Sequence, residues 1–267
     1  MEDAADDAVT VSILTPTRNR GGGFLPLALA SVRALRLSRP YEHVIVDDNS
    51  DDGSTDYLRA QATADAHIRP LYHETTRGVA AARNSAARHA RGAYLVDLDD
   101  DDLLTVAGVE RRYRYLEAHP AFWAVHANAL RIDETGRYLI GQDVTNYFCP
   151  DRARCARLFY TSAMIPNVST AMYRRDALLA LGGWDESLSC CEDYDLWLRS
   201  VDRYGPPGFV DTVVALYRSK EHGLGIDSVR SGAHARNQRL VQGRFAHLAP
   251  PDRGGRRRHA LNDGPSR

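Results

Sequence analysis

Four consecutive aspartates, Asp99–Asp102, stand directly behind a short apolar run, 94–98, that itself carries Asp97. Adjacent carboxylates repel one another, so such a cluster needs either solvent around it or a positive charge among its members. Carboxylate oxygens suit a hard divalent cation such as Mg²⁺ or Mn²⁺, which keeps coordination positions for water and phosphate oxygens. The cluster therefore predicts a cation site for a phosphorylated ligand. The alternative is a solvated acidic turn that caps the following helix.

A rigid element must hold this cluster, and the segments before it alternate between strand and helix patterns. The predicted strands are 9–14, 42–48, 68–72 and 94–98, and the predicted helices are 24–37, 56–66 and 78–91. This order is typical of an α/β fold with a parallel sheet and crossover helices. Ligands of such sheets bind beyond the carboxyl ends of the strands.

Polar residues follow the predicted strands at those ends. The segment 15–20 follows the first strand, Asp47 and Asp48 close the second, and Arg77 precedes a helix. Each group alone is explained as a turn former, a helix cap or a solvated helix charge. Together with the aspartate cluster, they indicate one ligand site at one edge of the sheet.

A second acidic group begins a helix at Glu192. Helical spacing from this residue puts Asp193, Trp197 and Val201 on one face. A carboxylate beside apolar side chains is partly desolvated, which raises its pKa and makes it a better general base. Asp195 is instead expected to pair with Arg199, four residues on.

The second half of the chain is predicted to mix helices with further strands. Helices are expected at 103–118, 151–161, 176–181 and 232–248, strands at 168–173 and 208–217, and a hairpin at 123–132 and 137–140. Arg111, Arg112 and Arg114 are predicted to lie on a solvated helix face. The predicted domain spans 9–225, with a nucleotide-binding half at 9–104 and an acceptor half at 105–225. Around it we expect a disordered N-terminus at 1–8, a C-terminal helix at 226–249 and a disordered basic tail at 250–267.

The composition is that of an ordinary globular protein of 267 residues with 43% hydrophobic content and a net charge of -1. Nothing in this balance requires nucleic acid or an acidic membrane as partner. The four cysteines lack zinc-site spacing and are expected to be reduced, mostly buried thiols. Since no export signal or long apolar run is visible, we expect a cytoplasmic protein without a transmembrane segment. The sequence leaves the oligomeric state open, a homodimer included.

Seven motifs are ordered along the chain as in one known family. They are ILTPTRNR (13–20), VIVDDNSDDGS (44–54), RGVAAARN (77–84), YLVDLDDDDLL (94–104), GGWDESL (182–188), EDYDLWLR (192–199) and YRSKEHG (217–223). In this set the chain resembles the family 2 inverting glycosyltransferases of the GT-A fold. The resemblance covers roughly residues 9–225 and implies a single Rossmann-like α/β domain, with a mixed, mostly parallel sheet flanked by helices.

The resemblance also implies roles for particular residues. Asp193 would be the catalytic base, and Asp101 would bind the metal, approached by His222. The residues implied to bind the nucleotide sugar are Thr15, Pro16, Arg18, Asp47, Asp48, Arg77, Arg83, Asp99, Asp100 and Glu192. The crowding of aspartates permits a register in which Asp100 and Asp101 exchange roles.

The implied reaction needs a cation and two substrates. The cofactor would be Mn²⁺ or Mg²⁺, which stabilises the charge of a departing diphosphate. The donor would be a nucleotide-diphosphate sugar, with a UDP-sugar favoured, and the acceptor hydroxyl would belong to a soluble or peripheral molecule.

Two other functions are compatible with parts of the sequence. A phosphatase of the haloacid dehalogenase type would use Asp97 as nucleophile, since Asp97 and Asp99 follow an apolar strand. That class expects a lysine nearby, and Lys220 is the single lysine of the chain. A protein that binds nucleotide sugars without turning them over would keep the same fold and lose only the chemistry.

Overall fold

One sheet of eight strands organises the residues that the computed structural model describes, which are 8–146, 148–161, 167–221 and 224–250. The strands are β1 (Val11–Thr17), β2 (Tyr41–Asp47), β3 (Ile68–Tyr72), β4 (Tyr94–Asp97), β5 (Leu103–Leu104), β6 (Ala124–Ile132), β7 (Met172–Arg174) and β8 (Gly208–Arg218). The helices are α1 (Leu25–Arg33), α2 (Ser54–Ala64), α3 (Val79–His89), α4 (Gly108–Ala118), α5 (Arg152–Thr161), α6 (Arg175–Ala180), α7 (Glu192–Tyr204), α8 (Leu224–Arg230) and α9 (Ala233–Arg244).

The strands lie in the order β3-β2-β1-β4-β7-β6-β8-β5. The first four run parallel, with β1 between β2 and β4, so the carboxyl ends of these strands share one edge. β7 runs antiparallel to both β4 and β6, whereas β6 and β8 are parallel. The predicted α/β fold with a mixed, mostly parallel sheet flanked by helices is confirmed.

The central strands are buried because helices cover the sheet. All seven residues of β1 are buried, which is typical of a parallel strand covered on both faces. On one face α3 contacts β1 and β2, and its run of alanines lets the helix approach the sheet closely. The aromatic part of the core lies in the second half of the chain, where Trp123, Tyr173 and Trp197 pack on one another.

Two predicted boundaries in the first half are wrong. β1 continues through Thr17 because it pairs with β2 up to Asp47, so residues 15–17 belong to the strand. Leu103 and Leu104 form β5 against β8, and the helix begins only at Gly108. A Cβ at Gly108 would lie 2.8 Å from the Val214 carbonyl oxygen, so only glycine permits this close approach of helix and strand.

The prediction that Arg112 is solvated is also wrong. Its side chain is fully buried under the sheet, where it donates to the carbonyl oxygens of Gly108, Ser169 and Ala171 at 2.9–3.1 Å. The physical reason is that residues 168–170 form a 3-10 turn, not the start of the predicted strand, and leave carbonyl groups inside the protein. Arg111 and Arg114 are exposed as predicted.

The C-terminal segment contains two helices where one was predicted. Gly232 separates α8 from α9 with a φ of 72°, a left-handed conformation that ends a helix. The ends 1–7 and 251–267 lie outside the described residues, and so do the predictions made for them. The division of the domain into nucleotide and acceptor halves stays a prediction.

Candidate active site

The ends of β1, β2 and β4 meet at one edge of the sheet, where the sequence predicts a ligand site. Thr17 is paired with Asp47 in the sheet register, and Leu14 is paired with Asp97. The Thr17 hydroxyl donates to Asp100 Oδ2 at 2.7 Å and ties the end of β1 to the aspartate cluster. The strand ends and the cluster therefore form one continuous surface.

Arg83 joins the two halves of the chain at this edge. One guanidinium nitrogen donates to Asp99 Oδ1 and the other to Glu192 Oε1, each at 2.6 Å. Arg83 is buried on α3, and the two carboxylates raise its pKa against the effect of desolvation. The bridge places the first residues of α7, which include Asp193, beside the aspartate cluster.

Asp101 and Asp102 are held by residues at and just beyond the end of β8 and by residues that precede β7. The Lys220 ammonium forms an ion pair with Asp101 Oδ2. The backbone N–H of Arg218 donates to Asp102 Oδ1 at 2.9 Å. Asp102 Oδ2 accepts from Asn167 and Ser169 at 2.8 Å each, so this buried carboxylate has three donors.

Three of these carboxylates could bind a cation together. Asp99, Asp101 and Asp102 each offer an oxygen, and the three oxygens lie within 4.8 Å of one another. Such a set of hard oxygen donors fits Mg²⁺ or Mn²⁺. Asp100 lies outside the set because its carboxylate faces Thr17 and Arg20. The geometry therefore groups Asp101, and not Asp100, with Asp99 and Asp102; the role of Asp101 as a metal ligand stays a prediction.

Burial raises the pKa of several carboxyl groups at this edge. Desolvation raises the pKa of Asp97 to about 7, although Arg83 acts in the opposite direction. Desolvation and the neighbouring Asp101 raise the pKa of Asp100 to about 7 and that of Asp102 to about 8. The site thus holds more negative charge than its surroundings stabilise, which favours binding of a cation.

Asp193 is the second residue of α7 and lies near Arg83 and Asp99. Its carboxylate accepts from the Tyr194 backbone N–H at 2.8 Å, and burial raises its pKa. Trp197 and Val201 are buried on the same helix, while Asp193 retains partial exposure. Cys191 precedes the helix with a φ of 66°, a rare conformation for a side-chain-bearing residue, and this turn directs the acidic pair toward the sheet edge.

Asp47 and Asp48 organise the loops next to the strand ends. Asp47 accepts from the Ser50 hydroxyl and from the Thr55 hydroxyl, both at 2.5 Å. Asp48 accepts from His73 and from the backbone N–H groups of residues 77 and 78, at 2.7–2.8 Å. Both carboxylates therefore fix the loops that follow β2 and β3.

The remaining predicted residues have varied surroundings. Thr15 is fully buried, with its hydroxyl 2.9 Å from His43 Nε2. Pro16 is buried within β1, Arg18 is exposed, and Arg77 pairs with Glu186 at 3.2 Å. His222 lies outside the described residues. The predicted pair of Asp195 and Arg199 is confirmed at 2.7 Å.

Sequence reasoning missed the residues that surround Asp101 and Asp102. On sequence alone, Lys220 has a role only in the phosphatase alternative, and no role is predicted for Arg218, Asn167 or Ser169. The segment YRSKEHG carried the signal, because it places two cations directly after a strand that returns to the sheet. The four cysteines are buried and free, as predicted.

A separate pocket of about 260 Å³ lies behind α7, away from the aspartate cluster. Trp184, Asp185 and Arg244 are among the residues that line it, and Arg244 pairs with Asp185 at 2.7 Å. The candidate active site is instead the surface at the carboxyl ends of the strands.

Comparison with known families places the chain in one of them. Residues 12–182 match the family model of Glycosyl transferase family 2, which is more than half of the chain. The chain belongs to glycosyl transferase family 2. No helix in the described part of this glycosyl transferase family 2 chain is both long and apolar enough to cross a membrane.

Several relatives share the same stretch. WcaA of Escherichia coli (strain K12), a glycosyl transferase named for colanic acid biosynthesis, is 31% identical over 208 residues, which cover 75% of this chain and 69% of WcaA. TuaG of Bacillus subtilis (strain 168), named for teichuronic acid biosynthesis, is 36% identical over 107 residues, 40% of this chain and 41% of TuaG. The protein y4gI of Sinorhizobium fredii (strain NBRC 101917 / NGR234) is 30% identical over 196 residues, but the chain spans only 20% of its length.

Two solved structures resemble the whole sheet. Staphylococcus aureus TarS 1–349, in complex with UDP-GlcNAc, has a TM-score of 0.66 at 16% identity, with 90% of this chain and 71% of that chain covered. The mannosyltransferase PcManGT from Pyrobaculum calidifontis, in complex with GDP-Man and Mn²⁺, has a TM-score of 0.63 at 21% identity, with 92% and 72% covered. These likenesses confirm the predicted GT-A fold.

Proposed function

We propose that this family 2 member transfers a sugar, with inversion, from a nucleotide-diphosphate sugar to an acceptor hydroxyl, and that it uses Mn²⁺ or Mg²⁺. The observation that carries the proposal is the Arg83 bridge, which brings the candidate base and the candidate cation ligands to one edge of the sheet. We favour a UDP-sugar as donor, and the TarS likeness supports this choice because that structure contains UDP-GlcNAc.

Some residues of the chain would stabilise the charge of the leaving diphosphate, and others would position the nucleotide. Asp99, Asp101 and Asp102 would hold the cation, which stabilises the negative charge that the diphosphate gains as it leaves. Asp47 and Asp48 would keep the loops that support the base of the nucleotide in place. Thr17 and Arg20 would hold Asp100 beside the ribose.

Asp193 would remove the proton from the acceptor hydroxyl as it attacks. Its raised pKa brings it closer to the operating pH, where general bases are most effective. A positioned base of this kind contributes about 10²- to 10⁴-fold to the rate. Since the diphosphate leaves from the opposite face, a single displacement inverts the anomeric carbon.

The burial of Asp97 argues against the phosphatase alternative. Asp97 is fully buried, and neither of its carboxylate oxygens accepts a hydrogen bond from the described residues. A nucleophile in that position cannot reach a phosphate ester. Lys220, the lysine that this class would need, pairs with Asp101 instead. A protein that binds nucleotide sugars without turning them over would have the same structure, so only a turnover assay distinguishes it from the proposed enzyme.

The test combines ligand binding with turnover. Thermal shifts are measured with UDP, GDP and their sugars, with and without Mn²⁺, since a bound ligand raises the melting temperature. Asp193→Asn should keep the UDP shift while donor turnover falls by about 10²- to 10⁴-fold. The matched control is Asp211→Asn, an exposed aspartate near the start of β8, about 23 Å along the strand from Arg218.

Each outcome decides one part of the proposal. Binding of UDP without turnover of any UDP-sugar would favour the binding protein. Near-full activity of Asp193→Asn would remove that residue as the base. A product whose anomeric configuration, read by NMR coupling constants, equals that of the donor would refute inversion.

A further inference from the structure

The Lys220 ammonium lies beside the Asp101 carboxylate, in the position where a bound divalent ion would lie. The side chains of Lys220 and Asp101 are 14% and 16% exposed, so the pair is largely shielded from solvent. Asp101 Oδ2, which contacts the ammonium, belongs to the carboxylate group that could bind a divalent ion with Asp99 and Asp102. A divalent ion bound to the same carboxylate would repel the ammonium, so the two cations compete for Asp101.

The segment that carries Lys220 is anchored on both sides of this position. Arg218 donates through Nε to the Asp101 carbonyl oxygen at 2.8 Å and through Nη1 to the Asp133 carbonyl oxygen at 3.0 Å. The Glu221 backbone N–H donates to Glu134 Oε1 at 2.9 Å. These contacts therefore fix the backbone at Lys220, while its flexible side chain can move.

An aromatic ring beneath Lys220 provides a second place for the ammonium. The Phe24 ring centroid lies 5.8 Å from Lys220 Nζ and 4.6 Å from the Arg218 guanidinium carbon. Phe24 stands at the start of α1, which follows the end of β1. A cation over this ring remains at the nucleotide edge of the sheet even when it leaves Asp101.

The charges around Asp101 show why Lys220 matters. Asp99 pairs with Arg83, which it shares with Glu192, and Asp102 has three hydrogen-bond donors. Within the described ranges, Lys220 is the one cationic side chain in ion-pair contact with Asp101. A divalent ion that binds Asp101 would repel this ammonium.

We infer that Lys220 is an internal counter-ion that holds the cation position at Asp101 in the nucleotide-free protein and moves to the diphosphate of the donor when the divalent ion binds. The inference rests on the proposed function and adds a diphosphate-binding residue to it. Lysine suits the exchange because its ammonium is a compact charge on a flexible four-carbon stem with three donors. The displaced ammonium would then pair with the negatively charged diphosphate of the donor, which binds together with the metal ion.

The test uses the full chain, two variants of Lys220 and one control. Lys220→Met removes the charge and keeps a similar volume, whereas Lys220→Arg keeps the charge. Arg111→Met is the matched control, because it removes one exposed positive charge from α4, outside the cluster. All four proteins are first compared by circular dichroism and thermal unfolding, so that a folding defect is recognised.

Binding of Mn²⁺ alone is then measured by electron paramagnetic resonance, which reports free Mn²⁺. Loss of a competing ammonium should make Lys220→Met bind Mn²⁺ about tenfold more tightly in the absence of nucleotide. Lys220→Arg and Arg111→Met should bind as the natural protein does. In saturating Mn²⁺, calorimetry should show that Lys220→Met binds UDP about tenfold more weakly, since the displaced ammonium no longer meets the diphosphate.

The two arms separate this inference from the proposed function. Equal Mn²⁺ affinity of Lys220→Met and the natural protein would overturn the counter-ion, and unchanged UDP affinity would overturn the diphosphate contact. If the natural protein bound no nucleoside diphosphate at all, the proposed function would fail. The Mn²⁺ arm would still decide whether Lys220 competes for the cation position.

Discussion

Arg83 lies between two carboxylates from opposite halves of the chain, and its replacement by methionine gives the sharpest test of the bridge. Arg83→Met keeps most of the apolar stem but removes both charged hydrogen bonds. Glu192, only 8% exposed, would become a buried charge without a partner. Breaking a buried ion pair from one side costs about 3–5 kcal/mol. Asp99 is 34% exposed, so loss of its pair adds little.

We therefore expect the free energy of unfolding of Arg83→Met to fall by about 3–5 kcal/mol, measured by urea denaturation with tryptophan fluorescence at pH 8. The cost should shrink at pH 5.5. Burial already raises the pKa of Glu192, and removal of Arg83 raises that pKa further, so protonation at lower pH neutralises the unpaired carboxylate.

The double variant Arg83→Met, Glu192→Gln is the control for this reasoning. It removes the unpaired charge as well as its partner, so it should be more stable than Arg83→Met at pH 8 by about 1–3 kcal/mol. A loss below about 1 kcal/mol in the single variant, or no recovery in the double variant, would refute the bridge as a buried ion pair.

Two further predictions concern pH and a buried cation. Three carboxyl groups have pKa values raised to about 7 or 8 in the folded protein, so they stabilise it at low pH and lose that contribution as pH rises through those values. They are Asp97, Asp100 and Asp102. The melting temperature in EDTA should therefore fall as the pH rises from about 5 to 8, and excess Mn²⁺ should reduce that fall; a flat or rising profile in EDTA would contradict the assignment. Arg112→Met leaves three buried carbonyl groups without their donor and should cost about 2–4 kcal/mol in urea unfolding, whereas Arg111→Met should stay within about 0.5 kcal/mol.

The first half of the fold could be predicted because each pattern there has a local cause. Apolar runs of β-branched residues gave β1, β2 and β4, and helical spacing between them implied parallel pairing. The edge at which Asp47 and the aspartate cluster meet follows from that topology alone. The prediction of Asp193 beside the cluster followed from the resemblance, and the Arg83 bridge agrees with it.

The second half was less predictable because long-range contacts override local preference. Leu103 and Leu104 fit a helix by pattern but pair with β8, more than a hundred residues later. Arg112 belongs to an arginine-rich helix face, and only the carbonyl groups of a distant turn explain its burial. The partner of Asp101 could not be read from spacing, because the fold alone brings Lys220 to it.

Arg218 and Lys220 lie at the end of β8 and just after it, so they are synthesised well after the aspartate cluster that they contact. The aspartate cluster leaves the ribosome about 115 residues before these two cations, which at about 5–20 residues per second is roughly 6–23 s. During that interval the nascent sheet edge carries aspartates whose partners have not been synthesised. A fragment that stops before β8 therefore lacks the ammonium that pairs with Asp101 and one of the three hydrogen-bond donors to Asp102.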